Sequence, residues 1–338
     1  MRNSFYVFFT YLVYGLVVLL MGLAVIQNVL KPQRPLTNAD IPKETIDWFK
    51  SLVDGGSDIG GILGPDERDP ADWSRYEDID SMLRLEDEYF VIYYSAKDSM
   101  LERKKAVISQ RYAHEAIPIG ERFMKNYPYP SQMNGRKLPI YLAKTVDDFR
   151  NICQQIGHGD PGTWSIGLYC FQYSISGVYT DGIIISPEAW SVSDNQLEAD
   201  SDDKELKKTL WHEMNHFMYF SNWDYSQTSK PSLWFTEGLA EYFSENYDRL
   251  IYVANHKSFN LTNDFMDGSS EYWVGMTAFL CLERLYGKSV VYNVVSNSYK
   301  NSINEAVQMS IQNESLNTWN TNWHSFMNDN IYKEYVNL

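Results

Sequence analysis

The 338-residue chain has few of the residues and motifs that mark several common protein classes. Its only cysteines are Cys153, Cys170 and Cys281, and their spacing fits no thiolate metal cluster. It contains neither an internal repeat nor a glycine-rich phosphate loop. Basic residues are outnumbered, with 29 Lys and Arg against 44 Asp and Glu, so the formal net charge is −15. This charge argues against a nucleic-acid partner, because phosphate binding requires a basic surface.

Apolar and aromatic residues, in contrast, are plentiful. They make up 44% and 15% of the chain, which is enough to bury a sizeable core. Cys281 lies in an apolar helical stretch and is expected in that core. Cys153 and Cys170 would pair in an oxidising compartment, but three unpaired thiols are an equally good interpretation. The cysteines therefore do not identify the compartment.

A long uncharged segment lies near the amino terminus. There is no charged residue from Phe5 to Leu30, and the part from Phe5 to Ile26 is almost wholly apolar. At about 1.5 Å per residue, a helix of this length crosses a hydrocarbon core of about 30 Å. A cleavable signal peptide is the alternative, although its apolar region needs only about 7–15 residues. We therefore expect residues 1–30 to form a transmembrane anchor that holds a single-pass protein in the membrane, with its folded domain outside the cytoplasm.

Composition divides the rest of the chain into a stalk and one domain. Residues 31–86 contain prolines such as Pro32, Pro35 and Pro42, the glycine-rich run from Gly55 to Gly64 and an acidic stretch, which predict a solvated linker. Residues 87–338 predict an α+β fold, with a mixed sheet followed by a mainly helical C-terminal half. Strands are predicted at 89–94, 138–143, 167–175 and 182–186, and helices at 100–123, 204–220, 232–247 and 271–286.

The sequence His212-Glu213-Met214-Asn215-His216 places two histidines four residues apart. On a helix these positions share a face, so both imidazoles can reach one zinc ion at about 2.0–2.1 Å. Glu213 then lies beside the metal without binding it, in a position to act as general base on a water. The segment 201–203 supplies helix-capping residues, and an apolar stripe follows it. The local sequence therefore predicts the helix that the metal site requires.

A second segment, Trp234 to Tyr242, follows after a short loop. The two segments together resemble the gluzincins, the clan of thermolysin and the zinc aminopeptidases, in which the second helix contributes a glutamate from an E-G-x-A-like sequence. The resemblance implies that Glu237 is the third ligand of a single Zn²⁺. It also implies that Glu241 supports a ligand histidine, since such imidazoles donate their other N–H to a carboxylate. An ordinary exposed neighbour is the alternative role for Glu241.

A weaker match follows at Tyr272-Trp273-Val274-Gly275, which resembles the Y-x-x-G of the zinc aminopeptidases. It implies that Tyr272 stabilises an oxyanion, and a packing role is the alternative. The G-x-M-E-N segment of those enzymes is absent, and residues 177–186 stand where their substrate-binding edge strand is expected. Metzincins are excluded, because Tyr219 and Asn222 replace the required Gly and His. The remaining histidines are expected to be structural or exposed: His114, His158, His256 and His324.

The resemblance implies a zinc-dependent hydrolase, most simply a metallopeptidase that acts on a peptide or protein. Two alternatives remain. The substrate need not be a peptide, because a zinc site does not by itself select the acyl group. The chain could also be a membrane-anchored binding or structural protein with a relict metal site. The intact Glu213 argues against this last alternative, because metal binding alone does not require a base there.

Overall fold

The computed structural model describes residues 79–124, 136–159, 161, 165–174, 177–224, 231–255, 271–311 and 314–336. The strands in these residues are β1 (Leu83–Glu86), β2 (Phe90–Tyr94), β3 (Leu138–Leu142), β4 (Gly167–Ser174) and β5 (Gly177–Ile185). The first helices are α1 (Ser99–Met124), α2 (Val146–Gln155), α3 (Lys204–Asn222) and α4 (Leu233–Phe243). The later helices are α5 (Glu271–Tyr286), α6 (Lys288–Ser298), α7 (Ile303–Ser310) and α8 (Leu316–Asn328).

The five strands form one mixed sheet in the order β1-β2-β3-β5-β4. The central strands β2, β3 and β5 are parallel, and the outer strands β1 and β4 are antiparallel to their neighbours. The expectation that residues 177–186 form the edge strand is therefore wrong, because β5 is interior and β4 is the edge. The interior position suits β5, whose Ile183, Ile184 and Ile185 are all fully buried, as in a strand covered on both faces.

Helices cover both faces of the sheet. Alternate side chains such as Ile140 and Ile183 belong to the large core that contains α1 and α3. The intervening side chains, such as Ile184, face a smaller core with Phe149 and Cys153 of α2. All three cysteines are buried thiols. The sheet thus holds α3 firmly on one face, and α3 carries the predicted metal-binding histidines.

The helical half continues this core beyond α3. Helices α4 and α5 cross at Gly238 and Gly275, where a Cβ on Gly238 would lie only 2.3 Å from the backbone carbon of Gly275. Only glycine permits two helices to approach so closely. Helix α8 packs behind them and ties to α5 through Trp323 Nε1, which donates to Thr277 Oγ1 at 2.9 Å. The position of α4, and so of Glu237, depends on this crossing.

The predicted anchor over residues 1–30 lies outside the described residues, as does the predicted stalk up to residue 78. Strand β1 occupies the last residues of the predicted stalk. No helix among the described residues combines the length and apolarity needed to cross a bilayer. The longest, α1, is interrupted by charges such as Glu102, Lys105 and Arg111. The fold class is corrected accordingly, to a mixed five-stranded sheet with mostly helical surroundings and no transmembrane helix in the described part. The single-pass membrane location is withdrawn with it.

Candidate metal centre

The start of helix α3 is fixed by a buried aspartate. Asp203 is the N-cap residue, and its carboxylate accepts from the backbone N–H of Leu206 at 3.1 Å. The same carboxylate accepts from the backbone N–H groups of Ser191 and Val192, both at 2.9 Å. Immediately before His212, Trp211 Nε1 donates to the carbonyl oxygen of Tyr112 in α1 at 2.9 Å. These contacts set both the axial position and the rotation of α3, and therefore the direction of its histidines.

His212, His216 and Glu237 meet at one point between α3 and α4. The Nε2 atoms of the two histidines lie 3.1 Å apart, and each is 3.2 Å from Oε2 of Glu237. All three side chains are largely buried, with 11–13% of each exposed. The three atoms form a nearly equilateral triangle of two nitrogens and one oxygen. The structure thus brings together the three residues that the sequence predicts as ligands, and they could hold a metal ion.

The electrostatics of this triangle couple its members. Burial lowers the pKa of His212, but the hydrogen bond with Glu237 and the charges of Glu241, Glu213 and Glu237 together raise it to about 9. Burial raises the pKa of Glu237, but the charge of His216 and hydrogen bonds from both histidines hold it well below its usual value. The site is therefore a buried concentration of negative charge that favours a bound positive charge.

Glu213 lies beside the triangle and is not part of it. Its carboxylate is buried and accepts a hydrogen bond from the backbone N–H of Tyr169 in β4. Burial raises the pKa of Glu213, and the charges of His212 and His216 oppose this only in part. A carboxylate with a raised pKa is a stronger base than an exposed one, which suits proton abstraction at neutral pH.

Gly167 makes room for Glu213. A Cβ at Gly167 would lie 2.9 Å from Oε1 of Glu213 and 2.7 Å from the methyl carbon of Thr209. Any larger residue would push the glutamate away from β4. Neither Gly167 nor the backbone of Tyr169 was predicted as part of the site. The contact joins residues more than forty positions apart, and glycine is too common in this chain for its presence to indicate such a role.

Glu241 lies one turn after Glu237 on α4 and faces the opposite side of His212. Its Oε1 is 3.5 Å from Nδ1 of His212, and only 3% of the residue is exposed. This position fits a carboxylate that orients the histidine and stabilises its Nδ1–H tautomer. His216 differs, because its buried Nδ1 has no hydrogen-bond partner among the described residues. The two histidines are thus supported unequally.

A cleft of about 460 Å³ opens over these residues. One wall is edge strand β4, from Gly167 to Phe171, and the opposite wall is formed by α3 and α4. The rim includes Trp273 from α5 together with Asn246 and Arg249 from the segment after α4. None of these three rim residues was predicted as functional. Trp273 occupies an unspecified position of the Y-x-x-G match, and the other two belong to no recognisable motif.

The structure places the remaining predicted residues as follows. Tyr272 lies in the first turn of α5, but its side chain is outside the described part of the chain. His114 pairs with Asp87, and His158 pairs with Asp181, at 2.7 and 3.0 Å. Both histidines are therefore tied to their own carboxylates away from the cleft. His256 lies outside the described residues.

The comparisons with known proteins add no relative. No protein-family model matches the chain, and neither does any curated protein sequence. Any assignment of function therefore depends on the residues of the cleft and on the motif resemblance.

Proposed function

We propose that this protein is a zinc-dependent hydrolase, and specifically a metallopeptidase. The observation that carries the proposal is the triangle of His212, His216 and Glu237 with Glu213 beside it, at the floor of an open cleft. Two imidazoles and one carboxylate form the ligand set of a catalytic zinc site that keeps its fourth position open.

The spacing and charge of the three residues support a metal. In a tetrahedral site with bonds of about 2.0–2.1 Å, ligand atoms lie about 3.3 Å apart, close to the observed 3.1–3.2 Å. Three carboxylates, Glu213, Glu237 and Glu241, are largely buried around two histidines, and no Lys or Arg is paired with them among the described residues. A divalent cation would compensate this charge. Imidazole nitrogen favours zinc over calcium or magnesium.

The chain's own groups can perform the proton transfers. Zinc, when bound, would lower the pKa of a bound water and polarise the scissile carbonyl. Glu213 accepts the proton of the attacking water and returns it to the leaving amine. Tyr169 holds Glu213 in place through its backbone N–H, so the base is oriented before substrate arrives. Tyr272 is proposed as the donor to the oxyanion, and Tyr272→Phe should then reduce turnover without loss of zinc.

Edge strand β4 supports a peptide as substrate. It is the outer strand of the sheet and forms a wall of the cleft directly beside Glu213. An extended peptide can add to such an edge through main-chain hydrogen bonds, which gives affinity with little dependence on sequence. Substrate binding by an edge strand, which the sequence predicts for residues 177–186, is therefore proposed for β4.

The test is digestion of a peptide library by the full-length protein, with and without a chelator and with zinc restored. Cleavage that the chelator abolishes, that zinc restores and that Glu213→Gln lacks would support the proposal. Zinc-dependent hydrolysis of acyl esters but of no peptide would assign a non-peptide hydrolase. Zinc binding without any hydrolysis would refute the proposed enzymatic activity and indicate a metal-binding protein.

A further inference from the structure

The rim of the cleft carries a positive charge that the proposed mechanism does not use. After α4 the chain turns through Glu245, whose φ of 53° is left-handed, and enters the helical segment Tyr247–Asn255. The backbone N–H of Asn246 donates to the carbonyl oxygen of Glu241 at 3.2 Å. Leu250 and Val253 are fully buried and hold the segment in place. Arg249 therefore stands on a fixed support, joined directly to the helix of Glu237.

The charges on this rim are unevenly balanced. Lys208, one turn before His212, is 3.6 Å from Glu205 and also pairs with Asp248. Its positive charge is thus compensated within the protein. Arg249 lines the same cleft and is half-buried, but it pairs with no carboxylate of the described chain. Arg249 thus presents to the cleft a guanidinium whose charge no carboxylate of the described chain compensates, and a ligand can supply the anion.

Arg249 is separate from the proposed metal ligands. It belongs to the helical segment Tyr247–Asn255, whereas the triangle lies between α3 and α4. The scissile amide of a peptide is neutral, so an anion bound by Arg249 would be a different group of the ligand. Its natural source is another part of the same peptide, either an acidic side chain or the terminal carboxylate.

We propose that Arg249 is a specificity-determining residue that binds a carboxylate of the substrate. This inference rests on the proposed peptidase function and names its substrate class, peptides that carry a carboxylate a few residues from the cleaved bond. The planar guanidinium suits a carboxylate because it can donate two parallel hydrogen bonds.

The test measures binding as well as cleavage. Full-length, zinc-loaded Glu213→Gln protein is titrated with capped alanine octapeptides that carry one Glu or one Gln at each position in turn. A second set compares free-acid and amidated carboxyl termini, which distinguishes a side-chain carboxylate from a terminal one. Each set is repeated after Arg249→Gln, after Arg249→Lys and after Arg103→Gln. Arg103 is exposed on α1, away from the cleft, so its substitution removes one positive charge without touching the site.

We expect a carboxylate at one position to improve affinity by at least about tenfold over its neutral match. Arg249→Gln should abolish this preference, Arg249→Lys should restore part of it, and Arg103→Gln should leave it unchanged. Equal affinity for both members of every pair, absence of binding, or a preference that survives Arg249→Gln would overturn the inference. Hydrolysis of the same peptides by the wild-type protein is scored separately. Cleavage without a carboxylate preference removes only the role of Arg249, whereas an Arg249-dependent preference without cleavage removes only the peptidase.

Discussion

The glycine crossing between α4 and α5 gives a prediction that the structure makes quantitative. In Gly275→Ala the new methyl would lie 2.0 Å from the carbonyl oxygen of Trp234 and 2.8 Å from Cα of Gly238. Ordinary contacts begin at 3.4 Å, so the helices must separate locally by about 1.4 Å, the difference between 3.4 and 2.0 Å. Both contacted groups are backbone, and no change of rotamer can relieve them.

The energetic effect follows from two opposing terms. Overpacking of a core costs about 1–3 kcal/mol, and a backbone clash belongs at the upper end of that range. Alanine in place of glycine within a helix recovers about 1 kcal/mol. We therefore expect Gly275→Ala to lower the free energy of unfolding by about 2 kcal/mol. Because Glu237 precedes Gly238 on α4, zinc affinity should fall as well.

The assay is urea unfolding followed by circular dichroism, with Gly120→Ala as the matched control. Gly120 is also a buried helical glycine, but an added Cβ would meet only the flexible end of the Met218 side chain. The control should remain within about 1 kcal/mol of wild type. Equal unfolding midpoints and slopes for wild type, Gly120→Ala and Gly275→Ala would show that the close approach of α4 and α5 does not require glycine.

Three further predictions concern single carboxylates. Glu213→Gln should abolish hydrolysis while zinc stays bound, and Glu237→Ala should lose zinc; the reverse pattern would exchange the two roles. Glu241→Gln should weaken zinc binding by about 10–100-fold in a chelator competition, because an amide beside Nδ1 of His212 carries no charge. Unchanged zinc affinity would show that Glu241 has no supporting role. Asp87 accepts from the backbone N–H groups of Tyr89 and Phe90 at 2.7 and 2.9 Å, so Asp87→Asn should cost about 1 kcal/mol of stability at neutral pH. Burial raises the pKa of Asp87, but hydrogen bonds from Phe90, His114 and Tyr89 leave this pKa below its usual value. The stabilisation is therefore present above about pH 4 and is lost as the pH falls through the folded-state pKa. Wild type and Asp87→Asn should therefore converge in acid, and a constant difference between pH 7 and pH 3 would contradict the assignment.

The helices of the site could be located from the sequence because their determinants are local. The predicted helix at 204–220 corresponds to α3 at Lys204–Asn222, and the predicted helix at 271–286 coincides with α5. A capping aspartate and a continuous apolar stripe suffice to mark α3. Its two histidines then point the same way because of helical geometry alone.

The arrangement of the sheet was less accessible, because strand order depends on contacts between distant residues. The local sequence of β5 does not say which strands flank it, although its three consecutive isoleucines are typical of an interior strand. Strand β1 was missed because it has only four residues, mostly exposed, at the end of a segment whose composition predicts a linker. The sequence likewise does not indicate that Gly167, Tyr169 and Arg249 lie at the cleft, because their positions there depend on contacts between distant parts of the chain.

The zinc content of the purified full-length protein, measured by mass spectrometry of the metal, tests the proposed metal site most directly. We expect one zinc per chain in the wild type, and loss of this zinc in His212→Ala and in His216→Ala. His324→Ala is the control, because this histidine makes an edge-on ring contact with Trp323 in α8, outside the cleft, and its substitution should leave the zinc in place. Absence of zinc from the wild type, or undiminished zinc in both ligand variants, would show that the triangle is not a zinc site.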